Sequence, residues 1–449
     1  MDVNGKRLRE GLQALSKIGY NEHDHGIYRM GFSDADMQAR QWLLDRAKAA
    51  GFAGYMDGAG NVFFGLGERD QPVVLMGSHL DTVPAGGMFD GALGVMAGFE
   101  VLQRLQEEQV TLTNPVWVVA TAEEEGRFGG MLGSQAIAGV LNHDWLMSAH
   151  DADGVQLKQA MAAQGLDVMD ALAAAWPPEQ LKAFFELHIE QGPVLFQKDK
   201  QIGVVDGISG VFKWIVHLKG KADHAGTAPM DMRSDAFMGL ADFAHEIERI
   251  IAENGTDKTR ITVGKVELKP GSPHTVPGEA IFTIVGRDMS NQVMQELAQA
   301  CHKALSAIAR KHRLRFEYEQ VSWLQPQDCS QKLRSLLEAK VQARELSYER
   351  MPSGAGHDTQ FFAEVTDAGL IFIPSEHGVS HAPDEWSHWH DVTAGANVLL
   401  DAVLAVATDD VDENLGYKRG ERPAAVIEQR KPHQVKATVT KDSGTKTVQ

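Results

Sequence analysis

The sequence is poor in cysteine, in positive charge and in long apolar runs. Cys301 and Cys329 are its only cysteines in 449 residues, too few for the disulfide framework of a secreted domain. Lys and Arg number 43 against 61 Asp and Glu, a net charge of −18. Such a surface is a poor match for phosphate backbones or anionic lipid, so no nucleic-acid or membrane partner is expected. No apolar run reaches the ~18 residues of a membrane span. The first residues, Met1 to Arg7, enter a helical pattern without the apolar core of a signal peptide. Several catalytic signatures are also missing: no G-x-S-x-G elbow, no P-loop and no G-x-G-x-x-G. His245-Glu246 lacks the second histidine of a zincin helix. These absences leave a cytoplasmic protein that handles small molecules.

With 43% hydrophobic and 23% charged residues, the chain reads as globular and long enough for two domains. Its charge is uneven. Residues 413–449 hold eight Lys/Arg against four Asp/Glu, a basic tail of net +4 on a body of −22. That tail reads either as a flexible extension or as an arm lying on an acidic surface. Short buried runs at 73–76, 116–120, 184–189 and 370–373 alternate with helical patterns, including 92–107 and 392–407. This predicts an α/β fold with a mostly parallel sheet. Between them the order strand 213–218, helix 235–253, strand 260–268, strand 280–285, helix 291–311 and strand 313–323 predicts an inserted β-α-β-β-α-β domain. The expected division is a catalytic domain over 1–210 and 327–412, an insert over 211–326, and the tail 413–449.

Chemistry-bearing residues gather at the predicted strand ends. His79 and Asp81 close the first strand, and Asp90 follows in a glycine-rich turn. Ligands bind at that edge of open α/β sheets. A lone strand-end histidine is more often structural. With Asp81 placed to accept from its ring and Asp90 nearby, metal ligation becomes the sharper reading. Glu123, Glu124 and Glu125 leave the second strand. They read either as a solvated acidic face or as carboxylates gathered around a cation, one a ligand and one a base. Glu186, His188 and Glu190 share one face of the third strand. His377, His381, His388 and His390 follow the last strand, and alone would pass for a surface loop. Mixed His and carboxylate donors suit zinc, manganese or cobalt, and a shared Asp permits two ions about 3.5–4 Å apart.

The segments Ser78-His79-Leu80-Asp81-Thr82-Val83, Gly86-Gly87, Asp90-Gly91, Glu186-Leu187-His188-Ile189-Glu190-Gln191-Gly192-Pro193, His224-Ala225-Gly226-Thr227-Ala228-Pro229-Met230 and Gly354-Ala355-Gly356-His357-Asp358 carry a resemblance. Over about residues 7–410 the chain resembles the hydantoinase/carbamoylase family of metal-dependent amidohydrolases, in the zinc-aminopeptidase-like superfamily. The resemblance implies two divalent ions (Zn, Mn, Co or Ni). His79, Asp90 and His188 would hold one, Asp90 would bridge, and Glu125 and His381 would hold the other. Glu124 would be the general base. The spacing before Arg127-Phe128 departs from the family pattern, so Glu123 as base and Glu124 as ligand remains an alternative. Gln191, His274, Arg287 and Gly356 would contact substrate, with Arg287 gripping its carboxylate. The insert would be a lid and homodimerisation domain whose His224 reaches the partner subunit's site and stabilises the tetrahedral intermediate.

Two departures bear on substrate. His274 replaces a family asparagine, and Val211 stands where allantoate-cleaving relatives carry glutamine. An unpaired ureido group in a closed site costs roughly 1–3 kcal/mol. This favours N-carbamoyl amino acids or 3-ureidopropionate over allantoate. The competing readings are an allantoate amidohydrolase, a superfamily dipeptidase or N-acyl amino acid deacylase, and a catalytically silent binding protein.

Overall fold

The computed structural model describes residues 1–409. The basic tail lies outside the described residues, as do the last residues of the catalytic domain expected over 327–412. The described residues fall into two compact units, 1–207 with 328–409, and Ile208–Gln327.

The first unit is built on a nine-stranded sheet. Its strands begin with β1 (Ala53–Met56), β2 (Val62–Leu66), β3 (Val73–His79), β4 (Val116–Thr121), β5 (Leu181–Ile189) and β6 (Ile202–Ile208). The second unit carries β7 (Gly210–Lys219), β8 (Asp223–His224), β9 (Arg260–Lys269), β10 (Thr275–Val276), β11 (Glu279–Asp288) and β12 (Arg315–Leu324). The chain then returns to the large sheet through β13 (Gln327–Asp328), β14 (Tyr348–Ser353) and β15 (Ala368–Ile373). The order is β1-β2-β4-β3-β5-β15-β6-β13, with β14 on β6. The centre, β4-β3-β5-β15, is parallel. The flanks β1-β2, β2-β4 and β15-β6 are antiparallel.

Period-two alternation feeds two cores. Val74 and Met76 of β3, with Val116, Val118 and Ala120 of β4, pack with helices Ala92–Glu107 and Trp389–Ala407. Val73, Leu75, Trp117 and Val119 enter a second cluster with Phe63, Trp176 and Phe362. Strands apolar on both faces can only sit inside such a sandwich, each large side chain contributing roughly 2 kcal/mol. Helix Trp389–Ala407 is long and apolar enough to cross a bilayer, but most of it is buried in this core.

Helix Asp34–Ala49 escaped the sequence reading for a physical reason. Its inward face carries Asp36 and Arg40, both fully buried, which blurs the apolar periodicity. They form an ion pair at 2.9 Å, and Ser33 caps the helix by accepting from Asp36 N–H.

The second unit is an antiparallel four-stranded sheet, β12-β7-β11-β9. Phe212, Trp214, Val216 and Leu218 of β7 and Ala280, Phe282 and Ile284 of β11 pack with helices Ala236–Asn254 and Asn291–Lys311. A short ribbon, β8 with β10, pairs His224 with Thr275.

Candidate metal centre and active site

Parallel strands bring their carboxyl ends to one edge. His79 is the last residue of β3 and lies opposite Thr121, the last of β4; His188 lies opposite Phe372 of β15. The sheet therefore delivers His79, the acidic run after β4, His188 and the segment after β15 to the same place. Asp90 joins them from the turn before helix Ala92–Glu107.

Asp90 is the hub. One carboxylate oxygen lies 3.4 Å from His79 Nε2 and 3.1 Å from His188 Nε2. The other lies 3.2 Å from His381 Nε2 and accepts from Gln191 Nε2 at 2.9 Å. Glu125 Oε2 approaches the same His381 nitrogen at 3.4 Å, and Glu124 Oε2 approaches His79 Nε2 at 3.7 Å. The donor atoms form two groups, His79–Asp90–His188 and Asp90–Glu125–His381, each within 4.8 Å of one another. The structure thus brings all five expected ligands together, with Asp90 common to both groups.

The donor set fits divalent cations. The His79 Nδ1 faces the Asp81 carbonyl at 2.9 Å and the His188 Nδ1 faces the Ile189 carbonyl at 2.9 Å. Those bonds put the proton on Nδ1 and turn Nε2 toward Asp90. Gly91 N–H also points at His188 Nε2 at 3.2 Å. Among the described residues no Lys or Arg pairs with Asp90, Glu124 or Glu125; their ion-pair partners are histidines alone. Burial raises the Glu125 carboxyl to about 7, reinforced by Asp90. Burial also pushes Glu124 well above the carboxylate range, with Glu125 and Asp358 adding to it and His79 opposing. Burial would depress the His79 ring, but Glu124, then Asp90 and Asp81, hold it well above its ordinary value. Without a cation, protons are drawn into the gap between acids and imidazoles.

Gly91 makes close packing possible. Its φ is +62° and ψ −51°, and a Cβ there would lie 2.4 Å from His79 Cε1 and Nδ1. Only glycine lets the turn lie against that ring.

Asp81 accepts from the His79 ring as expected, and the accepting atom is its backbone carbonyl; the nearest oxygen of its carboxylate is 3.9 Å from Nδ1. The carboxylate is turned instead to the loop after β4, accepting from Glu124 N–H at 3.2 Å and Glu125 N–H at 3.1 Å. Arg40 braces the same loop, donating to the carbonyls of Gly60, Ala120 and Thr121.

Of the two registers left open for the acidic run, the one using Glu124 and Glu125 has its side chains facing the histidines. Glu123 turns away, accepting from Phe128 N–H at 2.6 Å and Gly130 N–H at 3.2 Å. Burial takes its carboxyl to about 8. A third group, Glu186–His188–His357, lies behind the first. Glu186 already accepts from Ser78 Oγ, Thr359 N–H and Thr359 Oγ, bonds that tie β5 to β3 and to the segment after Asp358. His357 stacks edge-on against His188 at 4.5 Å, and burial holds its pKa well below the ordinary imidazole value.

Among the expected substrate contacts, Gln191 holds Asp90. Gly356 sits in the Ser353–Asp358 loop, where a Cβ would meet Met131 Cε at 2.8 Å. His224, His274 and Arg287 belong to the second unit. His224 is exposed, and its Nδ1 accepts from Gly226 and Thr227 N–H, leaving Nε2 as an outward donor. The carbonyl of His274 accepts from Ala225 N–H, so the ribbon brings the two histidines together. Arg287 is on β11 opposite Val211 and Arg260. Among the described residues it has no ion-pair partner, and burial lowers its pKa.

Residues 75–405 match the model of peptidase family M20/M25/M40. The chain is 37% identical over 413 residues to the N-carbamoyl-L-amino acid amidohydrolase of Geobacillus stearothermophilus, covering 90% of this chain and 99% of that one. It is 35% identical over 397 residues to the allantoate amidohydrolase of Escherichia coli, covering 87% and 95%. A crystal structure of an amidase of the hydantoinase/carbamoylase family from Burkholderia multivorans superposes with a TM-score of 0.84 at 32% identity, covering 91% of this chain and 98% of that one. The chain therefore belongs to peptidase family M20/M25/M40, and within it to the hydantoinase/carbamoylase amidohydrolases.

Proposed function

We propose that this chain is a metal-dependent amidohydrolase that cleaves the linear, non-peptide C–N bond of an N-carbamoyl amino acid. The carrying observation is the division of Asp90, one oxygen toward His79 and His188 and the other toward His381. That geometry suits two divalent ions sharing one carboxylate, and His79, Asp90, His188, Glu125 and His381 would hold them. Ions bound there would supply Lewis acidity, which makes water nucleophilic near neutral pH.

The remaining work falls to side chains. Glu124 belongs to neither ligand group, and burial raises its carboxyl above the ordinary carboxylate range, toward that of a proton acceptor. It would take the proton of the attacking water and return it to the leaving nitrogen. His224 would donate from Nε2 to the oxygen that gains charge in the tetrahedral intermediate. Arg287, without an internal partner, would grip the substrate carboxylate in a bidentate pair. One water and one ureido acid would yield an amino acid, ammonia and carbon dioxide. Val211 in place of glutamine favours a substrate with one ureido group, though the allantoate-cleaving relative is nearly as similar.

A homodimer is part of the reading. The ribbon bearing His224 lies beyond the Glu279 end of β11, and Arg287 lies near the other end. Eight residue steps along the strand separate Glu279 from Arg287, roughly 26 Å. A small acid cannot span that distance, so the two side chains would serve different sites. Co-refolding His224→Ala with Glu124→Gln chains should regenerate about a quarter of wild-type activity, from mixed dimers with one intact site. No regained activity would remove the trans role of His224. The substrate class is tested by ammonia release from N-carbamoyl amino acids, 3-ureidopropionate, allantoate and dipeptides after Mn²⁺ or Zn²⁺ loading. Preference for dipeptides would overturn it.

A further inference from the structure

Behind the metal centre lies a carboxylate that no motif pointed to. Glu385 is 3% exposed. Its Oε1 accepts from the N–H groups of Phe89 and Asp90, both at 3.1 Å, and its Oε2 accepts from Ser380 Oγ at 2.9 Å. The turn that delivers it is tight: Glu385 N–H donates to the Ala382 carbonyl at 3.1 Å, and His381 has a φ of 55°. Space for the side chain is cleared at Gly87, where a Cβ would fall 2.3 Å from Glu385 Oε1 and 2.5 Å from its Cδ. Glu385 belongs to neither ligand group.

The two groups are not held equally. His79 and His188 stand on β3 and β5, where parallel pairing with Thr121 of β4 and Phe372 of β15 fixes them. Glu125 and His381 come from loops, and the His381 side chain is 49% exposed. Glu385 joins the backbone of Asp90 to the residue before His381. Its removal should therefore disturb one group more than the other.

We propose that Glu385 is a positioning residue that ties the Asp90 turn to the His381 loop, and so sets the affinity of the Asp90–Glu125–His381 position for a divalent ion. The inference rests on the two-ion reading above. Loss of such an outer-layer carboxylate typically weakens metal affinity 10–100-fold. The amide of a glutamine side chain keeps an oxygen that can accept from both N–H groups, so Glu385→Gln recovers most of the affinity.

The test is titration of the metal-free full chain with Co²⁺, followed by visible absorption and calorimetry. Wild type should bind in two steps, and His381→Ala identifies the step belonging to its group. Glu385→Ala should weaken that same step about 10–100-fold and leave the other nearly unmoved. Ser380→Ala, which removes the bond to Glu385 Oε2 and a longer one to Asp90 Oδ2 at 3.4 Å but spares the buried carboxylate, should weaken it by a smaller factor and serves if Glu385→Ala does not fold. A wild-type titration with a single ion overturns the two-ion reading and the inference with it. Two wild-type steps that Glu385→Ala, or failing that Ser380→Ala, leaves unmoved overturn the inference alone. Equal weakening of both steps, or a Glu385→Gln chain as weak as Glu385→Ala, also overturns it, since either result is general loosening rather than positioning.

Discussion

Replacing Gly91 with alanine would press a methyl group onto the ring of His79. The added Cβ would lie 2.4 Å from Cε1 and Nδ1, against the roughly 3.5 Å that carbon contacts need, so ring or turn must give by about 1 Å. The ring has little freedom, because Nδ1 is bound to the Asp81 carbonyl at 2.9 Å while Nε2 faces Asp90. The turn has little either, since alanine at φ +62° and ψ −51° is strained by about 1–3 kcal/mol. Overpacking adds about 1–3 kcal/mol, for a total loss of about 2–6 kcal/mol. A displacement near 1 Å at the reacting centre costs about 100-fold in rate. Urea unfolding of the metal-free protein, with kcat and metal content of the loaded enzyme, would measure all three. If Gly91→Ala keeps wild-type stability, metal content and kcat, His79 does not pack as described and the ligand geometry is wrong.

Three further outcomes follow from the same geometry. Glu124→Gln should keep its metal and lose roughly 10²–10⁴-fold in kcat, while Glu123→Gln should cost stability and little turnover per bound ion; the reverse pattern would exchange their roles. Arg40→Met strands Asp36, which is fully buried with its ion-pair partner, and should cost about 3–5 kcal/mol in urea unfolding; a loss below about 1 kcal/mol would contradict the pairing. In the metal-free protein the hydrogen bond to Asp90 raises His381 to about 9, over the opposing effect of burial. Because its folded pKa lies above its ordinary 6.5, the stabilisation is complete below that value and is lost as pH rises through about 9. Metal must displace that proton, so affinity should climb with pH up to about 9; calorimetry in buffers of different ionisation enthalpy should register proton release, and none would refute it.

The sheet centre was legible because strands covered on both faces are uninterrupted apolar runs, as Val73–Met76 and Val116–Ala120 are. The clustering of His and carboxylates at one sheet edge was legible because chemistry-bearing residues follow those runs directly. What escaped had no such contrast. The β1–β2 hairpin and β6 are short and carry glycine, and helix Asp34–Ala49 hides charge where periodicity calls for apolar side chains. Asp81 was legible as the acceptor for the His79 ring but not by which atom, since a two-residue offset does not say whether carbonyl or carboxylate meets the ring. Glu385 could have been suspected only from its position four residues after His381, because two of its partners are backbone N–H groups nearly 300 residues away in sequence.

The strand order has a consequence for how the chain is made. β5 and β6 are close in sequence, yet β15 lies between them, and it is synthesised about 160 residues after β6 ends. A nascent chain that has completed β6 must keep a strand-wide slot open, with two unsatisfied edges, while the whole second unit emerges. The second unit has its own core and can fold in that interval. The first cannot close until β15 and helix Trp389–Ala407 leave the ribosome. Chains interrupted before about residue 373 would expose those edges and should be the aggregation-prone species during expression.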